Sequence, residues 1–178
     1  FNGIKSFLIY RFCPSQGPLE SYNRDAKLFL QSIGHYWEWA SYYCFGSGNE
    51  AGKLMGLAAF GEVEGVGSDP ILDLSDKGKL KLNFSELKRT YTQPNFFNLD
   101  LSNSKHHQCL ARRVQDETEV VILKLLKFLK AHHPAKRLYL SGGVALNVVA
   151  NERIKSSNIF EELILNGSVE DNGTAIGA

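Results

Sequence analysis

The sequence predicts an α/β domain in which helices cover the faces of a mixed sheet. Three short apolar runs, at residues 4–12, Arg137–Leu140 and 160–165, are rich in β-forming residues and read as strands of one sheet. A long amphipathic pattern at 102–133 and a shorter one at 144–154 read as helices between them. Alternation of strands and helices in this order is typical of the α/β class. The run Arg137–Leu140 is expected to be a buried strand.

The amino-acid composition argues against several classes of binding partner. The chain has 178 residues, of which 43% are hydrophobic and 22% charged, with a formal net charge of +1. That balance predicts one globular domain and no global field that would recruit nucleic acid or an acidic membrane. Three scattered cysteines, Cys13, Cys44 and Cys109, argue against a disulfide framework or a zinc site. We therefore expect a cytoplasmic protein with neither nucleic acid nor membrane as a partner.

A pair of glycines follows the strand Arg137–Leu140. Gly142 and Gly143 allow a sharp turn and leave no Cβ in the way of a ligand. The helix expected at 144–154 would then present free N–H groups and its positive dipole end, where a phosphate or the sugar of a nucleotide can bind. A tight turn without a ligand is the other interpretation of an isolated Gly-Gly pair.

A second glycine-rich segment, 46–61, resembles two phosphate-binding loops without matching either. A Walker A loop would need Gly in place of Ser47 and Ser or Thr in place of Leu54. The loosest dinucleotide fingerprint fits, but no strand precedes it. Glu50 and Lys53 remain as candidates, because helical spacing places them on one face. They are either ligand-binding residues or a solvated ion pair.

An aromatic-rich stretch, 35–45, precedes that segment, and its expected role is in the core or in a lining wall. Two short alternating runs, 71–74 and 79–83, predict a β-hairpin that is peripheral, faces solvent and lies outside the main sheet. Residues 84–101 contain Pro94 and several aromatics and are expected to be irregular.

Histidine and acidic residues offer two possible metal signals. Neighbouring histidines on a helix point about 100° apart, so the pairs at 106–107 and 132–133 are poor metal sites. His132 and His133 suit the C-terminal end of a helix instead. Asp171 lies at a strand–helix junction, where an acid can cap the helix or point at a metal or phosphate.

Three segments together, 32–61, 138–153 and 171–178, resemble the O-carbamoyltransferases of nodulation and antibiotic biosynthesis. The resemblance implies a subdomain of the actin-like ATPase (RNase H-like) fold, shared with the tRNA threonylcarbamoyl-transfer enzymes. It also implies that ATP and carbamoyl phosphate give a carbamoyl-adenylate. The carbamoyl group of that adenylate then passes to a hydroxyl of a small molecule.

The resemblance assigns roles to individual residues. Positions that match the segments binding the nucleotide or carbamoyl-adenylate are Gly142, Gly143, Asn147, Glu50, Lys53, Asn172 and Gly173. Asp171 matches the acid that completes a divalent metal site, where an oxygen ligand suits Mg²⁺, Mn²⁺ or iron beside phosphates. The catalytic residues are not identified by these motifs.

The chain departs from the family pattern in what it lacks. None of its five histidines has the His-x-x-x-His spacing of the family's other metal ligands. The first half of the actin-like domain and the downstream adenylate-forming domain are also absent. Residues 1–178 are therefore expected to be the back half of the transferase domain, inactive without the missing halves of the parent protein.

Two other classes of protein remain open on the sequence. A small-molecule kinase half-domain of the actin-like superfamily would share the Gly-Gly turn but transfer phosphate. A non-catalytic interaction module would have degenerate sites. The segment beginning at Lys53 favours the carbamoyltransferase over the kinase, and dependence on carbamoyl phosphate separates the two.

Overall fold

A computed structural model describes residues 32–62, 69–91 and 105–165. The predicted strand at 4–12 lies outside these ranges, as do Asp171, Asn172 and Gly173. In chain order, the described elements are α1 (Ile33–Phe45), α2 (Ala51–Ala58), β1 (Leu72–Leu74), β2 (Leu80–Leu82), α3 (Phe84–Tyr91), α4 (Lys105–His132), β3 (Arg137–Leu140), a 3₁₀ turn (Gly143–Leu146), α5 (Val148–Ser156) and β4 (Glu162–Leu165). The architecture is mixed α/β.

Helix α4 is the central element, and α1, α2, β1 and α5 all pack against it. Its buried stripe includes Leu110, Val114, Thr118 and Val121, which recur every three or four residues as on one helix face. The long helix predicted at 102–133 is therefore confirmed. At its end, Nδ1 of His132 lies 2.8 Å from a main-chain carbonyl oxygen one turn earlier, as the C-terminal interpretation of this histidine expects.

Helix α1 has a defined cap at each end. The hydroxyl of Ser32 accepts a hydrogen bond from the backbone N–H of His35 at 3.0 Å. Gly46 ends the helix in the left-handed region at φ +70°. Between the caps, Tyr36 and Trp37 are buried, and the Trp37 indole N–H donates to Oγ1 of Thr118 on α4 at 2.9 Å. These two aromatics are core, as predicted for the stretch, whereas Tyr42 is 47% exposed.

The hairpin of β1 and β2 forms as predicted, but it is not peripheral. The two strands pair antiparallel in a sheet of their own. However, Leu72, Leu80 and Leu82 are buried in the main core. The alternation that suggested a solvent-facing hairpin instead places one leucine-rich face against α4. Glu117 of α4 fixes this packing by accepting the backbone N–H groups of Ile71 and Leu72.

The region expected to be irregular begins with helix α3. Its start has a cap, because Oδ1 of Asn83 accepts the backbone N–H of Glu86 at 3.1 Å. An acid three residues after the cap also suits a helix N-terminus. Leu87 then anchors the helix, since its side chain is fully buried. The prediction of irregular structure was therefore wrong for Phe84–Tyr91.

Strands β3 and β4 pair in parallel, with Leu138 opposite Leu163, and α5 lies between them in sequence. Two of the three predicted main strands thus share one sheet, separate from the hairpin. The expectation that β3 is buried was wrong, because its residues alternate. Leu138 packs against the core, whereas Tyr139 on the opposite face is 66% exposed.

Across the three described ranges, no helix is both long enough and apolar enough to cross a lipid bilayer.

Candidate functional site

A cleft of about 450 Å³ opens between α1, the start of α2 and the turn that follows β3. This volume is within the usual range of small-molecule sites. The residues that line the cleft are Gly34, Trp37, Glu38, Gly48, Asn49, Ala51, Gly52, Met55, Gly143, Val144, Leu146 and Asn147. The fold thus brings together two glycine-rich segments that the sequence alone left apart.

Gly142 gives the turn after β3 its shape. Its backbone has φ +93° and ψ 166°, a region that essentially only glycine occupies. Gly143 has an ordinary backbone and lines the cleft, and a Cβ at either glycine would meet no described atom within 4 Å. The sharp turn forms as predicted and leaves open space beside its backbone, and a ligand at this turn stays a prediction.

The helix expected at 144–154 is two elements. Gly143–Leu146 is a 3₁₀ turn, and α5 begins only at Val148. Asn147 separates them because its backbone is extended, with φ −74° and ψ 92°. The α-helical N-terminus is therefore four residues later than predicted.

Asn147 is held firmly by the fold. Its Oδ1 accepts the backbone N–H of Ala150 at 2.9 Å and so caps α5. Its amide also exchanges two hydrogen bonds with Gln115 of α4, at 3.0 and 3.3 Å. Asn147 is 9% exposed, so it meets the cleft at an edge while its polar atoms maintain the structure. Gln115 was not a candidate, because no short-range pattern signals a contact 32 residues along the chain.

Glu50 and Lys53 form the ion pair that one interpretation expected, with 2.9 Å between Lys53 Nζ and Glu50 Oε2. The two side chains are 29% and 67% exposed, respectively. They flank the cleft without lining it, whereas Ala51 and Gly52 of the same turn form part of its wall. Their role as nucleotide ligands stays a prediction.

Glu38 is a cleft residue that sequence reasoning missed. It is 47% exposed, and its Oε2 lies 3.1 Å from Nδ1 of His35, one turn earlier on α1. On the other side of the same imidazole, the Trp39 indole N–H donates to Nε2 at 2.9 Å. Burial lowers the pKa of His35, and the nearby Glu38 carboxylate opposes this only in part. The helical spacing of these residues was the available signal, but the aromatic character of the segment dominated its interpretation.

The described residues do not form a metal centre. Within 32–62, 69–91 and 105–165, no three His, Cys, Asp or Glu side chains are placed to hold an ion together. His107 is buried and its ring lies edge-on to Tyr43, with 5.3 Å between the ring centroids. The proposed metal residue Asp171 lies outside those ranges.

The fold and the cleft define a mixed α/β domain suited to holding a small ligand. A family model described as "Carbamoyltransferase N-terminus" matches residues 14–178, and the chain belongs to this carbamoyltransferase family. The predicted resemblance to this family is therefore confirmed.

Similar proteins come from distant organisms. The chain is 32% identical over 165 residues to the uncharacterized protein sll1178 of Synechocystis, covering 84% of this chain and 27% of that protein. It is 26% identical over 146 residues to the nodulation protein NolNO of Sinorhizobium fredii, covering 80% of this chain and 21% of that protein. For the uncharacterized protein MJ1058 of Methanocaldococcus jannaschii, the identity is 28% over 159 residues, covering 83% of this chain and 25% of that protein. The chain thus spans about a quarter of the length of these curated relatives.

Proposed function

We propose that the protein is an O-carbamoyltransferase and that this cleft is part of its carbamoyl-adenylate site. ATP, carbamoyl phosphate and water would give the adenylate with release of pyrophosphate and inorganic phosphate, and a small molecule would supply the acceptor hydroxyl. In the transfer step, the hydroxyl oxygen bonds to the carbamoyl carbon while the bond from that carbon to the adenylate phosphate oxygen breaks. The hydroxyl proton passes to a base, and AMP leaves.

One observation carries this proposal, which is that the glycine-rich turn after β3 faces the start of α2 across the cleft. Gly143 on one side and Gly52 on the other allow a sugar or a phosphate to approach the backbone closely. Apolar side chains, including Met55 and Val144, offer a surface for a base. The cleft therefore fits a nucleotide in size and in the chemistry of its lining.

The proposed phosphate contacts come from the edge of the cleft and from beyond it. Lys53 is exposed, and its pair with Glu50 is worth at most about 1 kcal/mol, so the ammonium group can turn to a phosphate at little cost. Asn172 and Gly173 are proposed at the phosphate end. Asp171 is proposed as a ligand to Mg²⁺, Mn²⁺ or iron, together with histidines outside this chain.

The same proposal includes an actin-like ATPase fold for the whole domain, of which these residues would be the back half. The described part supports a mixed α/β class with one parallel strand pair, which is compatible with that fold. We expect the residues of this chain to need the rest of the parent protein for turnover.

The test uses the protein at full length, as it is encoded. Incubation with ATP labelled at the α-phosphate should give labelled carbamoyl-adenylate, or AMP from its hydrolysis, only when carbamoyl phosphate is present. Release of ADP together with a phosphorylated small molecule would support a kinase instead. No consumption of ATP under either condition would contradict both enzymatic functions.

A matched pair of substitutions locates the reaction at this cleft. Gly52 and Gly56 both lie on α2 with open space at the Cβ position, but only Gly52 lines the cleft. Gly52→Leu should lower ATP-dependent turnover at least tenfold, because its side chain would enter the ligand volume. Gly56→Leu should leave turnover within about twofold. Equal effects from the two variants would place the nucleotide elsewhere.

A further inference from the structure

We infer that His35 is a positioning residue. Together with Trp39, it holds the Glu38 carboxylate in the cleft as a fixed acceptor for a ribose hydroxyl of the bound nucleotide. This inference rests on the proposed function, since it takes the adenylate as the ligand. It assigns a role to three side chains of α1 for which the sequence predicted no ligand contact.

The hydrogen bonds around His35 fix its protonation. An indole N–H can only donate, so Nε2 of His35 must accept the bond from Trp39 at 2.9 Å. The proton of the neutral imidazole is then on Nδ1, where it donates to Oε2 of Glu38 at 3.1 Å. His35 is 6% exposed, so this arrangement is shielded from competing water. These two hydrogen bonds therefore run in one direction, because Trp39 donates to His35 and His35 donates to Glu38.

Glu38 is restrained in two places. Its carboxylate is bound by His35, and its aliphatic stem lies against Gly48, where an added Cβ would come within 2.8 Å of Glu38 Cγ. The second carboxylate oxygen, Oε1, accepts no hydrogen bond from the residues that the structure describes. A half-exposed carboxylate on a cleft wall, held at one oxygen and open at the other, is an acceptor for a ligand donor.

Charge indicates which part of the ligand this acceptor meets. A carboxylate repels phosphates, so Glu38 belongs at the end of the cleft away from them. The uncharged sugar of a nucleotide carries two hydroxyl donors, and acidic side chains bind ribose hydroxyls in other nucleotide folds. A carboxylate held in one rotamer binds such a hydroxyl more tightly than one that must first be ordered.

The experiment compares ATP with 2′,3′-dideoxy-ATP in the full-length protein, using calorimetry to measure both dissociation constants. The unaltered protein should prefer ATP about tenfold. Glu38→Gln and His35→Leu should each bring that preference close to one. His35→Asn should recover much of it, because its amide keeps a donor near Glu38. Glu161→Gln is the matched control, since it removes a carboxylate from an exposed surface pair with Lys136 and should retain the full preference.

The ratio of the two dissociation constants separates positioning from a merely structural role. A general loss of folding would weaken both nucleotides equally and leave their ratio unchanged, and that result would overturn the inference. Equal ratios in His35→Leu and the unaltered protein would also overturn it. If the unaltered protein binds neither nucleotide at millimolar concentration, the proposed function fails and this inference fails with it. If ATP binds but the ratio of the two dissociation constants is the same in the variants and in the unaltered protein, the inference about His35 fails and the proposed function stands.

Discussion

Asn147 and Gln115 exchange two side-chain hydrogen bonds, at 3.0 and 3.3 Å, and so join the turn beside the cleft to the middle of α4. Both side chains are buried. Asn147 also caps α5, so one amide maintains a helix terminus and a long-range contact at once.

Replacing Asn147 should therefore separate these two roles. Asn147→Ala removes the cap and leaves a buried Gln115 amide with fewer partners, and we expect a loss of about 2–4 kcal/mol in the free energy of unfolding. Asn147→Asp keeps a capping oxygen but loses the donor to Gln115, so its cost should be smaller. Urea unfolding followed by circular dichroism measures both. Equal costs would mean that the contact with Gln115 matters and the cap does not.

Gly142 and Gly143 provide a second comparison. Gly142→Ala forces a Cβ into a backbone region that disfavours it and should cost about 1–3 kcal/mol. Gly143→Ala has an ordinary backbone and open space, so it should cost less than about 1 kcal/mol. Thermal unfolding of the two variants compares them directly. A Gly143→Ala variant as unstable as Gly142→Ala would contradict the geometry of the turn.

The buried guanidinium of Arg113 should be a major contributor to stability. It donates to Glu117 at 2.8 Å, approaches Glu86 at 3.4 Å and donates to the carbonyl oxygen of Asp69, so it ties α3 and the hairpin to α4. Arg113→Met leaves buried acids without this cation and should cost about 3–5 kcal/mol.

Arg112 is the matched control for that substitution. It pairs with Asp116 at 2.9 Å on the same helix, but its side chain is 41% exposed. Arg112→Met should change the free energy of unfolding by less than about 1 kcal/mol. Chemical denaturation of both variants checks the difference. Similar losses would show that burial does not decide the strength of these pairs.

Cys44 should be inert while the protein is folded. Burial raises the pKa of its thiol to about 12, and only 6% of the residue is exposed. At pH 8 the thiolate would be about one part in ten thousand, and the thiolate is the reactive form. Iodoacetamide labelling read by mass spectrometry should show Cys44 unmodified in buffer and modified in 8 M urea. Rapid labelling without denaturant would contradict this burial.

Asp171 can be tested in the full-length protein. Asn and Asp cap helices about equally well, so Asp171→Asn should preserve a cap. An amide binds a hard cation more weakly and cannot balance its charge, so metal content and carbamoyl transfer should both fall if Asp171 is a ligand. Elemental analysis of the purified variant measures the first and product formation the second. Near-normal values would leave Asp171 as a cap.

Local sequence patterns predicted which segments form helices and strands better than they predicted which faces of those elements are buried. The apolar stripe of α4 and the alternation of the hairpin were sufficient to predict both, and the strand pair β3 and β4 was also foreseen. The burial of Leu80 and Leu82 could not be predicted, because alternation does not say which element will cover a face. Helix α3 was overlooked although Asn83 and Glu86 supplied a start signal, since Pro94 and the nearby aromatics dominated the reading of that region.

At the candidate site, too, local motifs were visible in the sequence but long-range contacts were not. The predicted residues Gly143 and Asn147 lie at one cleft, but its opposite wall is formed by Ala51 and Gly52 and not by Glu50 or Lys53. Glu38 was missed because its importance arises only when α1 meets the other two segments. Contacts such as Asn147 with Gln115 depend on how the helices pack, and no spacing along the chain encodes them.

Two walls of the cleft are anchored to a single helix. Gln115 of α4 holds Asn147 on one wall, and Thr118 of α4 holds Trp37 on the other. These anchors are three residues apart, about 4.5 Å along the axis of a helix that rises 1.5 Å per residue. Because both anchors belong to α4, the distance between those walls is set by this helix and not by the ligand. Helix α2 supplies the remaining wall and packs against the same helix, so a single element supports every wall of the cleft that the structure describes.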